Sequence, residues 1–384
     1  MAHAFSRLSH CLGLPRALVS VALLAAVALP PAPADAAETS TAQARSVGQS
    51  TLRKSGGGNP RVVEIVSNAL GETEFRFADE MAAAVASAQE TGPNGEVALR
   101  VTPVTGPGGI HTVRDVLTLP NADFGIVSTR VLERLRETGE FGDITRRITY
   151  VAPLYMEEVH LLAGPKVRSL GDLEGQPVSI GRDESTTQVV AREILASAGV
   201  KVQEERHDLR GSIAALKAGE IAAAFIVSGK PIDGLKTLSP ADGLHLVPLD
   251  VASPEPDYLP SAISGEDYPE LLRPGESVDT LAVQNVLFAY DWPKRSARAQ
   301  LGEGFIQSLI WRLSTLQKPP GHPKWQEVNL AGSLPGLRRY AGMEAYLKKA
   351  GLRGPEPASK IAGDAAPTRT IPLRPDVPPT TGSR

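Results

Sequence analysis

Cysteine is all but missing from this sequence. The single one, Cys11, cannot close an internal disulfide, and its solitude excludes cysteine-built zinc sites and iron–sulfur clusters. Aromatic residues are scarce at 5%. Neither sign of charge is in excess: Lys+Arg 40 stand against Asp+Glu 43, a formal net charge of −3. A nucleic-acid binder needs a basic face, so this balance argues against one. The one conspicuous apolar run, residues 17–29 (ALVSVALLAAVAL), is shorter than the ~20 residues of a membrane span. What is left, at 384 residues, is a globular chain with room for two domains.

The apolar run follows Arg7 and Arg16 and precedes the small residues Ala34 and Ala36. Residues 1–36 therefore read as a cleaved secretory signal, with an uncleaved anchor as the alternative. Cleavage removes two arginines and one aspartate, which takes the formal charge from −3 to −4. It also removes Cys11, leaving a thiol-free chain that cannot mispair in an oxidising compartment. Residues 37–59 are a polar lead-in ending in Ser55-Gly56-Gly57-Gly58-Asn59, a flexible linker. Residues 353–384 hold seven prolines and few large apolar side chains, and read as a disordered tail.

Between these ends, strand-like and helix-like runs alternate. Strands are expected at 62–66, 97–104 and 123–127, with helices at 74–89, 110–119 and 129–136. The pattern restarts with strands at 159–163, 178–180, 204–208 and 222–227. Its helices are a one-turn segment at 169–173 capped by Ser169, then 186–198 stopped by Gly199, and 212–218. A strand at 280–289 and helices at 297–316 and 343–350 follow, with Trp311 on the buried face of the long helix. The β-α-β-α-β order implies parallel sheets covered by helices. Ligands in such sheets bind outside the carboxyl ends of the strands, and two lobes facing each other make a closable cleft. The loops to watch are 67–73, 105–109, 128–129, 181–187 and 228–231.

Several of these segments resemble the TAXI-type solute receptors, the extracytoplasmic binding subunits of TRAP transporters. Leu154-Tyr155-Met156-Glu157-Glu158-Val159-His160-Leu161 resembles the segment that opens their second lobe. Ser169-Leu170-Gly171-Asp172-Leu173-Glu174-Gly175-Gln176-Pro177-Val178 is similar to the "sl-DL-GK-V" run. Ser185-Thr186-Thr187 with Ala191-Arg192-Glu193-Ile194-Leu195 resembles "SGT…A-r-iL". Gly219-Glu220-Ile221, Gly229-Lys230-Pro231 and Tyr268-Pro269 continue the order, over roughly residues 60–350. The chain departs from the pattern at Glu184, at Ala222, at Val113 and in the first loop, which reads Glu72-Thr73-Glu74-Phe75-Arg76-Phe77. The resemblance implies a two-lobed α/β fold, a periplasmic binding protein of type II. Each lobe would be a mainly parallel sheet flanked by helices, with a hinge between. Residues 60–153 open lobe 1, 154–262 form lobe 2, and 263–352 return to lobe 1.

The implied activity is capture of a small organic anion, a carboxylate or an amino acid such as glutamate, and its delivery to TRAP membrane subunits. An ABC-type receptor and a periplasmic ligand sensor are the alternatives. The receptor is expected to be periplasmic and monomeric, without cofactor, metal or catalytic residues. Gly-x-Ser-x-Gly, His-Glu-x-x-His and phosphate-loop motifs are absent from the sequence.

Candidate ligand contacts follow from the strand-end loops. Ser185, Thr186 and Thr187 open a helix, where free N–H groups and hydroxyls receive carboxylates, or where the hydroxyls merely cap. Glu184 beside them either turns to solvent or signals an amine on the ligand. Thr105 and Gly106 lie in a small-residue loop that lets a ligand approach the backbone. Arg76 and Arg182 are candidate carboxylate forks. Ser128, Tyr155, Ser228 and Lys230 lie at strand ends or the lobe boundary. Asn68 and Glu74 are candidates to receive an amino group, with a plain capped helix start as the stronger alternative.

Overall fold

Two chain segments repeat one winding. In the computed structural model, which describes residues 62–88, 99–249 and 258–352, the first winding runs in six steps. They are β1 (Val62–Val66), α1 (Thr73–Ala88), β2 (Arg100–Val104), α2 (Ile110–Thr118), β3 (Ala122–Ser128) and α3 (Thr129–Thr138). β1 pairs in parallel with both β2 and β3. The second winding runs β5 (Pro177–Ser179), α4 (Thr186–Ala198), β6 (Gln203–Glu205), α5 (Leu209–Ala218) and β7 (Ala223–Ser228). Here β5 pairs in parallel with β6 and β7. Every residue of β3 and β7 is buried, the signature of strands covered on both faces. The expected signal, the linker at 37–59 and the tail at 353–384 lie outside the described residues.

Two long strands join the lobes. β4 (Ile148–Ala163) and β10 (Ser277–Tyr290) run antiparallel, Ala289 opposite Thr149 and Ala282 opposite Glu158. The C-terminal half of β10 pairs with β3 in lobe 1, and the C-terminal half of β4 pairs with β7 in lobe 2. The sheet order is therefore β2-β1-β3-β10-β4-β7-β5-β6, with β8 (His245–Leu246) on β4 and β9 (Leu259–Ser264) on β10. The register slips between Gln284 and Val286, opposite Met156 and Pro153. Such an irregularity bends and twists a strand pair.

Each lobe has a core on both faces of its sheet. In lobe 1, α1, α6 (Ala297–Leu316) and α7 (Ala341–Lys349) cover one face around Phe77, Phe124, Phe305 and Trp325. α2 and α3 cover the other around Val116, Leu132 and Phe288. In lobe 2, Ile194 and Val178 mark one face, Leu216 and Ile226 the other. The two-lobed α/β architecture that the resemblance implies is thus the observed one, with the sheet mixed: parallel within each winding and antiparallel along β4 and β10.

Several local expectations change. The strands expected at 159–163 and 280–289 are the inner parts of β4 and β10, and β9 was not expected at all. Trp311 lies on the solvent side of α6, 83% exposed. The buried stripe of that helix is Gly302, Phe305, Ile306, Leu309 and Leu316, a 3.6-residue period that leaves position 311 opposite. The caps read from sequence hold: Ser169 and Asp172 form a capping box, and Gly199 ends α4 at φ 69°.

Candidate functional site

The strand order reverses direction beside β1 in lobe 1 and beside β5 in lobe 2. The loops leaving these switch points face each other, so the topology itself builds a cleft between lobes. The loops are in contact. Ile110 N donates to Glu184 O at 2.8 Å, Arg182 to Gly106 O at 3.1 Å, and Thr73 N to Ser228 Oγ at 3.2 Å. Gly109 makes the approach possible: with φ 58°, it has no Cβ to collide with the Glu184 carbonyl. On one flank Arg130 of α3 forks onto Glu193 of α4 at 2.9 and 3.2 Å, and Tyr258 donates to the same carboxylate at 2.5 Å. On another, Arg76 pairs with Asp233 at 3.1 Å. The lobes are closed on each other.

Two cavities remain in this contact zone. A pocket of about 20 Å³ is lined by Asn68, Glu72, Arg182, Ser185, Thr187 and Asp208, among others. A wider cavity of about 210 Å³ opens beside it, lined by Glu72, Thr73, Arg76, Asp233 and His322, with Leu70 at its rim. Glu72 lines both.

Beneath them lies a group of carboxylates. Glu72, Glu74, Glu157 and Glu158 are 8% exposed or less. Asn68 Nδ2 donates to Glu72 and, at 3.4 Å, to Glu74. Burial, then the neighbouring Glu74, holds the Glu72 carboxyl well above its usual range. Burial likewise raises Glu74. Glu157 is pushed well up by burial first and by Glu74 second. It lies close to Glu74 and Asn285, yet neither of its oxygens meets hydrogen-bond geometry with them. Glu158 differs in having a cation: Lys324 Nζ sits 2.7 Å away, although burial still raises its carboxyl.

The structure brings together Asn68, Glu74, Tyr155, Arg182, Ser185, Thr187 and Ser228 of the sequence candidates. Ser185 Oγ caps α4 by accepting from Gln188 N, and donates to Arg182 O at 2.7 Å. Thr187 Oγ1 accepts from Val227 N. Thr186 Oγ1 is buried without a partner. Gly106 contributes its carbonyl to Arg182, whereas Thr105 is exposed. Arg76 sits at the outer cavity, held by Glu80 and Asp233. Ser128 is used as the N-cap of α3 and lines neither cavity. Lys230 is corrected outright: its Nζ turns into lobe 2, 2.9 Å from Asp267 and 2.6 Å from Ala262 O, so it offers the cleft no charge. Glu184, its side chain about a third exposed, bridges the lobes to Arg114 at 2.7 Å and His111 at 3.2 Å.

Sequence reasoning missed Glu72, Asp208, Glu157 and Asn285. The last two left a signal, since a glutamate and an asparagine stand between the apolar runs of long strands.

A sequence profile of the NMT1-like family matches residues 70–295. Among solved structures, the chain is similar to the periplasmic aliphatic sulphonate binding protein of Escherichia coli. There the identity is 16%, over 77% of this chain and 81% of that one, with a TM-score of 0.40. It is similar to the alkanesulfonate-binding protein of Xanthomonas axonopodis pv. citri at 14%, over 76% and 85%, with a TM-score of 0.40. An ancestral arginine-binding protein bound to arginine matches at 12%, over 70% and 96%, with a TM-score of 0.41. No helix among the described residues is long and apolar enough to cross a membrane.

Proposed function

The chain belongs to the NMT1-like family, and on that premise we propose that it is an extracytoplasmic solute receptor. It takes a small organic acid or amino acid between its lobes and hands it to a TRAP-type permease. One observation carries the reading: the switch-point loops of two βαβαβ lobes meet across a hinge of two long strands, with polar side chains from both at the seam. Arg182 and the opening turn of α4, capped by Ser185, supply the positive side, where N–H groups and a guanidinium suit a carboxylate. Glu72 and Asp208 supply a negative side on the same pocket wall. The mechanism is closure, not chemistry: a ligand touching both lobes favours the closed state over an open one. Periplasmic location and the TRAP partner rest on the signal-like N-terminus and on the ordered motif resemblance.

The test is a thermal-shift screen of the chain from residue 37 onward against organic acids and amino acids. A true ligand at one hundred times its dissociation constant adds about 2.7 kcal/mol of stability. A screen in which no acid or amino acid shifts melting removes the receptor reading. Uptake by a reconstituted permease driven by an ion gradient, without ATP, is expected for the TRAP assignment.

A further inference from the structure

The end of lobe 1 farthest from the cleft has a charge of its own. β3 runs from Ala122 to Ser128 and delivers Ser128 to the cleft side. β10 pairs with it antiparallel, Asn285 opposite Ser128 and Ala289 opposite Phe124. The end of β10, the start of β4 opposite it and the C-terminus of α3 therefore gather at the remote end. Arg136, Arg146, Lys294, Arg295 and Arg338 are all exposed there. Arg338 ties the segments together, donating to Thr145 O at 3.3 Å and to Asp291 at 2.9 Å. The Arg136 guanidinium lies against Gly336 in the neighbouring loop. Of the acids at this corner, Asp291 is held by Arg338 and Glu140 by Arg114. Asp143 is bonded to Thr145 and lies in the field of Arg146 and Arg136, which together hold its carboxyl below the usual range. Glu137 is the remaining one. The whole chain carries a formal charge of −3, so this basic end stands out against an acidic remainder.

Apolar groups accompany the arginines. Tyr290 and Trp292 are half-buried and meet edge to face at 4.7 Å, with the Arg298 guanidinium 6.0 Å from the indole. Leu119 is 47% exposed, two residues after Leu117, whose carbonyl accepts from Arg147. Cations beside amphipathic aromatic rings suit the level of lipid headgroups, where one side of a ring is apolar and the other wet. An acidic protein would answer the charges but has no need of the rings. The chain also enters at this end, because β1 is parallel to β3 and begins at Val62. The residues before it, 37–61, bring Arg45, Arg53, Lys54 and Arg61 against a single acid, Glu38.

We propose that this end of lobe 1, centred on Arg136, Arg146, Arg295 and Arg338, docks onto a membrane surface of anionic phospholipid. The face lies opposite the cleft, so the docked protein keeps its cleft accessible to solute. All its groups belong to one lobe, so docking requires neither ligand nor closure. It concentrates the chain at the bilayer, and it stands whether or not the cleft takes an organic acid.

The test is sedimentation of the chain from residue 37 with vesicles of phosphatidylcholine, alone or with about one third phosphatidylglycerol. Binding is expected to the anionic vesicles only, and to fall at least tenfold between about 0.05 and about 0.5 M salt. Each basic group near such a surface is worth about fivefold in partition. Arg136→Gln, Arg146→Gln, Lys294→Gln and Arg295→Gln combined are therefore expected to cut binding by more than about tenfold at an unchanged melting temperature. Lys166→Gln, Arg168→Gln, Lys201→Gln and Arg210→Gln remove the same charge from exposed positions of lobe 2. That set is expected to change binding by less than about threefold. Equal losses in the two sets overturn the inference, since net charge and not this face is then responsible. Equal partition to neutral and anionic vesicles, or none to either, overturns it as well. Retention on immobilised polyglutamate without vesicle binding would give the face to an acidic protein and overturns the lipid assignment. None of these outcomes bears on the receptor reading, which the thermal-shift screen tests separately.

Discussion

Two buried side chains set opposite pH dependences. His160 is held neutral by burial, its ring lowered from 6.5 to about 4. The Tyr268 hydroxyl lies 2.9 Å from Nε2 and the Glu158 carbonyl 3.0 Å from Nδ1, an arrangement that suits the neutral ring with its proton on Nδ1. The unfolded chain takes a proton below about 6.5. The contribution of His160 is therefore full above that pH and lost as pH falls toward 4, amounting to on the order of 3 kcal/mol. His322, lowered to about 4 mainly by burial, adds in the same direction. Glu157 works the other way. Its folded carboxyl is raised, so its contribution is full below its usual carboxyl range and lost as pH rises through the higher folded value. Urea titrations at several pH values are expected to show His160→Gln flattening the loss from pH 6.5 to 4, and Glu157→Gln flattening the loss on the alkaline side. Gly109 offers a third test. Gly109→Ala would drive a methyl into the Glu184 carbonyl, whereas Gly139→Ala, at a similar φ of 63°, meets open space. Both incur the left-handed backbone cost of about 1 kcal/mol. Only Gly109→Ala is expected to enlarge the radius of gyration in small-angle scattering and to weaken ligand binding by about tenfold.

At the scale of elements, the α3–α4 contact is a latch between lobes. Arg130 is 3% exposed and its guanidinium also faces the Tyr258 ring at 5.8 Å. Removing Glu193 leaves Arg130 with Glu133 alone, 2.6 Å away, and with the Glu193 side chain 22% exposed the cost falls to about 1 kcal/mol. Glu193→Gln is thus expected to shift the population toward the open form, readable as faster hydrogen exchange at Ile110 and Thr73, whose amides bond across the cleft. If exchange at these two amides is unchanged, the pair is not a latch. The helices and their caps were legible because apolar period and cap residues are local properties: α4 is bounded by Ser185 and Gly199, as read. β4 and β10 were not legible in full. Glu157, Glu158 and Gln284 break the apolar run, and only the partner strands show why polar residues continue the ladder. β9 was missed because Leu259–Ser264 is short, half-exposed and contains Pro260, a composition that reads as loop.

For the whole molecule, the proposed receptor function makes closure of the lobes its working step, with the hinge pair of β4 and β10 as axis. The register slip near Gln284 and Pro153 lies between the part of β10 tied to β3 and the part tied to β9. Ligand is expected to raise protection at Ile110 and Thr73 without changing exchange in the fully buried strands β3 and β7, since lobes that move as bodies keep their sheets intact. Protection spread evenly over both lobes would instead indicate general stabilisation.

The sequence by itself determined the alternation of strand and helix, the doubling of that pattern, and the loops at strand ends where a ligand would meet the chain. These rest on periodicity and caps, which act within a few residues. The sign of the charge at the seam was decided only by tertiary structure. Lys230, a candidate ligand contact, is drawn away by Asp267, while Glu157 is carried by β4 against Glu74, a residue distant in sequence. Charges meet by folding, and their energies depend on burial and on the neighbours that burial selects. A near-neutral chain thus comes to bury four carboxyls, Glu72, Glu74, Glu157 and Glu158, where its two lobes meet.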